Sequence, residues 1–231
     1  MDNITLNEGQ VSPDKNNERP APSAQPLVLR IAGHLVSYIF HPLFIPTYVT
    51  FFLLYIEPYA FAGASDRMKL FKLASVFFNT AFLPGFAVFL MYQLRLINSM
   101  FLKTQRERII PYAVAMVFYF WAWYVSKNQT ENPPVYIIFL LGTFLAVCGT
   151  WLLNINNKVS MHSTAMGGIL CFFILLAFSQ HDTTALYLSV AILVAGLVCT
   201  ARFIVSDHTQ PEIYLGFVMG VVCQLIAAWL Q

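Results

Sequence analysis

From residue 34 to its end the chain alternates long apolar runs with short polar breaks. The runs fall near residues 34–56, 73–95, 110–126, 134–153, 164–180, 184–204 and 213–230. A helix needs about 20 mostly apolar residues to cross a bilayer. The pattern therefore predicts an all-α, polytopic transmembrane helical bundle of six to seven spans. Pro42 and Pro46 interrupt the first run and Pro84-Gly85 the second. Both are tolerated as kinks where neighbouring groups satisfy the freed carbonyls. The run at 164–180 is short and opens with Thr164-Ala165-Met166-Gly167-Gly168, small residues that allow close helix contact. Residues 1–30 are rich in Asn, Asp, Glu, Pro and Ser, too polar to offset the entropy of ordering. They read as a disordered tail ahead of one membrane domain, 31–231. With no basic stretch followed by an apolar core, the tail does not read as a cleavable signal peptide.

Composition sharpens this picture. The chain is 58% hydrophobic and 10% charged, against about 25% charged in a typical soluble domain. A water-soluble enzyme is thereby nearly excluded. A net charge of +2 is too small to imply nucleic acid as a partner. Cys148, Cys171, Cys199 and Cys223 all lie inside apolar runs without C-x-x-C spacing, and read as small buried hydrophobes. No metal or cofactor is expected.

The charges then decide where chemistry can sit. Outside the tail and the 57–72 loop they gather at three places: Lys103 to Arg108, Lys158 with His162, and Arg202 to Glu212. Two spans separate the first from the second, and two the second from the third. An even number of crossings returns the chain to the same side, so the three clusters share one membrane face.

Each cluster carries groups suited to an oxyanion. Lys103, Arg106 and Arg108 place three cations within six residues, and the guanidinium fork matches phosphate geometry. Ser160, His162 and Ser163 stand where a helix begins, and a helix N-terminus favours an anion through its unpaired N–H groups and dipole. In the third cluster Arg202 ends an apolar run, and His208 has Asp207 beside it and Glu212 four residues on. A carboxylate on one imidazole nitrogen fixes the tautomer and makes the other a better base or nucleophile. Taken singly, each cluster also reads as a basic flank or a helix cap. Taken jointly, they fit phosphoryl transfer: cations on the oxygens, one histidine attacking phosphorus, the other protonating the leaving oxygen.

The spacing resembles the type 2 phosphatidic acid phosphatase superfamily, whose motifs run K-x6-R-P, P-S-G-H and S-R-x5-H-x3-D. Here they stand as Lys103-x4-Arg108-x2-Pro111, then Ser160-Met161-His162, then Arg202-x5-His208-x3-Glu212. Ile110 precedes the proline, the second motif has neither proline nor glycine, and Glu212 stands where the family has Asp. The resemblance covers about residues 100–220. It implies a metal-independent phosphatase acting on a lipid phosphate or pyrophosphate through a phosphohistidine. His208 would be the nucleophile, Glu212 its orienter and His162 the general acid. Lys103, Arg108, Arg202 and Ser160 would hold phosphate oxygens, with Arg106, Asp207 and Ser163 as further possibilities.

Alternatives from other classes are a lipid phosphotransferase with the same intermediate, and a non-catalytic subunit or lipid-binding module on the same fold. A transporter is disfavoured, because the ionisable residues gather at span ends rather than at the midplane. His34 and His41 flank the first helix and are expected at the interface, while Trp121, Trp123, Tyr124 and Trp151 read as interfacial or packing residues. With seven spans the cluster side carries nine Lys/Arg and the other side four. Discounting Lys103, Arg108 and Arg202 as ligands leaves six against four, so the positive-inside rule leaves the face of the site open. A bacterial inner membrane is the expected location.

Overall fold

A computed structural model of the chain describes residues 26–57, 59–100, 105–179, 184–205 and 208–231, with backbone alone for Gln105, Arg106, Ser179 and Thr184. Helices α1 (Leu27–Ile39) and α2 (Ile45–Phe51, prolonged by a π-turn over Phe52–Ile56) come first. Then follow α3 (Asp66–Phe77), a second π-turn over Phe78–Phe82, and α4 (Leu83–Gln93). The remainder is α5 (Gln105–Lys127), α6 (Pro134–Leu153), α7 (Met161–Ser179), α8 (Thr184–Val205) and α9 (Gln210–Trp229). Among the described residues, six stretches are long and apolar enough to cross a membrane: Asp66–Gln93, Glu107–Lys127, Pro134–Leu153, Met161–Phe178, Ala185–Val205 and Gln210–Trp229. The protein is an all-helical integral membrane bundle.

The first apolar run departs from a continuous helix. A residue before proline is pushed out of the α region, so His41 cannot continue α1 into Pro42. The helix closes with the Phe40 amide on the Val36 carbonyl at 2.9 Å, and α2 restarts with Pro46 in its first turn. The two halves still follow one path. Gly33 lies against Val205 at the end of α8. Further on, the Phe52 ring meets Tyr187 near the start of α8 at 4.9 Å and Phe173 of α7 at 5.0 Å. The run thus lies along α8 as an interrupted seventh segment. Pro84 has a gentler effect: it follows the Phe78–Phe82 π-turn directly, and α3 and α4 continue as one rod.

Packing is closest where α7 meets α9. At Gly220 a Cβ would collide with the Thr164 carbonyl, and at Gly167 with the Phe217 carbonyl. The two backbones therefore touch, as small residues permit between membrane helices. This crossing fixes the start of α7 against the start of α9, and both carry expected site residues.

On the face away from the three clusters, the α5–α6 connection is tied to α3. Lys72, 8% exposed, donates to Gln129 Oε1 at 3.2 Å, Glu131 Oε1 at 3.3 Å and Asn132 Oδ1. Asn132 in turn donates to the Ser126 carbonyl at 2.7 Å. The three ammonium protons thus have three acceptors. Lys72→Met leaves buried Asn132 short of a donor and is expected to lower stability by about 1–3 kcal/mol. The measurement is a lowered unfolding midpoint in detergent, with the exposed Arg67→Met on the same helix as the comparison expected to change less.

Candidate functional site

The connection 154–160 is the centre of the site. It descends from α6 and enters α7 with Ser160 in the N-cap position. Ser160 Oγ lies 3.5 Å from the Ser163 amide, and the Ser160 carbonyl accepts from Ser163 Oγ at 2.9 Å. Both serines are fully buried. Ser160 Oγ accepts at the helix start, which leaves its own proton able to donate, whereas Ser163 Oγ gives its proton to the Ser160 carbonyl.

Two consecutive carbonyls, one and two residues upstream, hold side chains from two other parts of the chain. Lys158 O lies 2.9 Å from His208 Nδ1, and Val159 O accepts from Arg108 Nη1 at 3.4 Å. The first turn of α5 and the turn before α9 are thereby pinned to the same short loop. Lys158 contributes its carbonyl, a role that its residue type does not advertise.

His208 also has Glu212 on the same nitrogen, with Oε2 3.3 Å from Nδ1. That carboxylate oxygen accepts the Thr209 amide at 2.9 Å, part of a capping box in which Thr209 caps α9 and Glu212 is its third residue. The capping box thus holds the carboxylate against the imidazole. Carbonyl and carboxylate oxygens only accept, so the proton of neutral His208 belongs on Nδ1 and the lone pair on Nε2. Burial lowers the His208 pKa from 6.5 to about 4, and the charges of Arg108 and Arg202 push the same way against Glu212 and the Lys158 carbonyl. At neutral pH His208 is therefore an uncharged imidazole with Nε2 unprotonated.

A second anchor comes from the broken first segment. Had α1 continued, the Ser37 carbonyl would have taken the amide of His41. Instead it lies 3.1 Å from His162 Nε2, and Ser37 Oγ accepts from Arg202 Nη1 at 3.5 Å. The His41 ring stands edge-to-face with His162, centroids 5.4 Å apart at 83°. Arg108 hydrogen-bonds to Tyr112, one turn along α5.

Six expected residues, Arg108, Ser160, His162, Arg202, His208 and Glu212, are brought into one cluster, with Ser163 beneath it. Lys103, Asp207 and the side chain of Arg106 lie outside the described residues. Ser37, His41 and Tyr112 join the cluster unexpectedly. The signal for His41 was present: an ionisable residue inside an apolar run, directly before a proline, is where a membrane helix breaks toward a polar interior. His34 remains exposed on α1. Among the described residues, no group of three or more His, Cys, Asp or Glu is arranged to hold a metal ion.

Beside this cluster a narrow apolar cleft of about 50 Å³ opens between α2, α5, α6 and α7. It begins at Pro42 and Met161, next in sequence to His41 and His162, and runs past Gly142, Ala146 and Gly168 to Gln224. No protein-family model, curated protein or solved structure matches the chain.

Proposed function

We propose that the protein is a membrane phosphatase that hydrolyses a lipid phosphate or pyrophosphate through a phosphohistidine, as its motif resemblance to the type 2 phosphatidic acid phosphatases implies. The observation that carries this reading is His208. Its Nδ1 proton is held by Lys158 O and Glu212 Oε2, and its Nε2 lone pair sits in the field of Arg108 and Arg202. Two guanidiniums beside a neutral imidazole favour an anion that the imidazole can attack.

His208 Nε2 attacks phosphorus while the bond from phosphorus to the lipid oxygen breaks. With the phosphate dianion bound beside it, His162, whose Nε2–H is held by Ser37 O, carries a second proton on Nδ1 and delivers it to that oxygen, and the lipid alcohol or lipid phosphate leaves. Water then attacks the phosphohistidine, giving a proton back to His162. The P–N bond breaks and inorganic phosphate departs. Arg108 and Arg202 neutralise the equatorial oxygens throughout. The hydrocarbon part of the substrate has the cleft that starts at Pro42 and Met161.

The test is phosphate release from a panel of lipid mono- and pyrophosphates in detergent with EDTA present, followed across pH. Only neutral His208 can attack. Because its folded pKa is depressed to about 4, the acid limb of kcat/KM is expected near pH 4–5 and not near 6.5. The alkaline limb is read from kcat, where it reports loss of the His162 proton in the substrate complex, and the two limbs belong to the coupled pair. The same shift makes folding stability decline as pH falls from about 6.5 toward 4, since the unfolded chain takes a proton there that the folded site refuses. No release from any lipid moves the reading to a lipid-binding module. Transfer of phosphate to an added alcohol, with little free phosphate, moves it to a phosphotransferase.

A further inference from the structure

The site holds a third imidazole that the two-histidine scheme does not use. His41 sits in the break of the first segment, half-buried and against His162. An imidazole inside an apolar run is costly to place and needs polar company; here it has His162 and the charge of Arg202.

The three rings differ in where their protons lie. His208 faces two acceptors through Nδ1, so its Nε2 carries the lone pair. His162 faces the Ser37 carbonyl through Nε2, so the lone pair of its neutral form is on Nδ1. His41 is the reverse case. Its Nδ1 accepts the backbone amide of Leu43 at 3.4 Å, which leaves the ring proton of neutral His41 on Nε2. His208 Nε2 and, in neutral His162, Nδ1 therefore carry lone pairs, whereas His41 presents an N–H while uncharged. The Pro42 break produces this arrangement: the chain turns at His41, which frees the Ser37 carbonyl for His162 and folds the Leu43 amide back onto the His41 ring.

We propose that His41 is an anion-binding residue of this site, a neutral imidazole whose Nε2–H donates a hydrogen bond to a phosphoryl oxygen. This rests on the proposed phosphatase reading and adds a ligand from outside the three motifs. It assigns the first segment a part in substrate binding. A neutral donor stabilises the developing charge without needing a proton of its own to transfer. His41 thus differs in kind from His162, and an amide side chain should replace it.

Inorganic phosphate is the probe, titrated calorimetrically into detergent-solubilised protein. Wild type is compared with His41→Ala, His41→Gln, His162→Gln and, as a control outside the site, His34→Ala, with unfolding midpoints recorded for each. His41→Ala is expected to weaken phosphate binding about tenfold, a loss of one hydrogen bond to a charged group. His41→Gln should recover binding to within about threefold and keep most of kcat for the best lipid substrate. His162→Gln should lose kcat, because an amide cannot deliver a proton. Phosphate binding equal to wild type in a folded His41→Ala variant, or His41→Gln no better than His41→Ala, overturns the inference while lipid turnover by wild type leaves the phosphatase reading intact. Wild-type protein that neither binds phosphate nor releases it overturns both.

Discussion

His208→Ala is expected to abolish phosphate release from every lipid that the wild-type protein hydrolyses, by at least about 10³-fold in kcat. Without the ring there is no nitrogen to take the phosphoryl group, and water in its place lacks the orientation supplied by Lys158 O and Glu212. Two readouts separate this from unfolding. Brief reaction with a substrate labelled in its phosphate should leave acid-labile label on wild type and none on the variant. The variant should also keep its binding of inorganic phosphate within about tenfold, since Arg108 and Arg202 remain. Release unchanged by the substitution would exclude the phosphohistidine route and favour an idle histidine in a lipid-binding module.

Gly220→Leu should have the largest structural effect, and it acts about two turns of α9 beyond Glu212. At this position even a Cβ meets the Thr164 carbonyl, and the backbone amide of Gly168 is close behind. Neither neighbour is a flexible side chain that can move aside. The helices α7 and α9 must separate, and with them go the Ser160–His162 start of one and the His208–Glu212 start of the other. Overpacking of this kind costs about 1–3 kcal/mol or more. The expected result is a lower unfolding midpoint together with loss of phosphate binding. Val218→Leu, on the exposed side of the same helix, should change neither. Retained activity in Gly220→Leu would mean that the α7–α9 contact does not position the site.

Much of the fold was legible in the apolar runs. The expected spans at 110–126, 134–153, 184–204 and 213–230 lie within or close to α5, α6, α8 and α9. Such runs are read reliably because a bilayer leaves the backbone few choices: its polar groups must pair within each segment, so a long apolar run becomes a helix. The common face of the three clusters followed from counting crossings, which needs no knowledge of packing. The pairing of Arg108 and His208 with neighbouring carbonyls was not legible, because any residue can offer a carbonyl.

The first segment shows where the sequence stopped. Pro42 announced a kink, yet a kink can be absorbed within a helix or can end it. Here it ended α1, and the consequence lay in another part of the chain: the Ser37 carbonyl found His162, 125 residues on. Similarly, Ser160 and Ser163 both carry hydroxyls, but at the helix start Ser163 gives its proton to the Ser160 carbonyl while Ser160 Oγ accepts an amide and keeps its own. The sequence by itself determined a helical membrane bundle and implied that its three charged clusters share one face, since hydropathy and span parity are properties of the chain taken in order. That His162 meets the Ser37 carbonyl and the His41 ring, and that His208 meets the Lys158 carbonyl, was decided only by tertiary structure. Those features depend on partners brought within 3–6 Å by helices distant in sequence, and no local pattern encodes such distances.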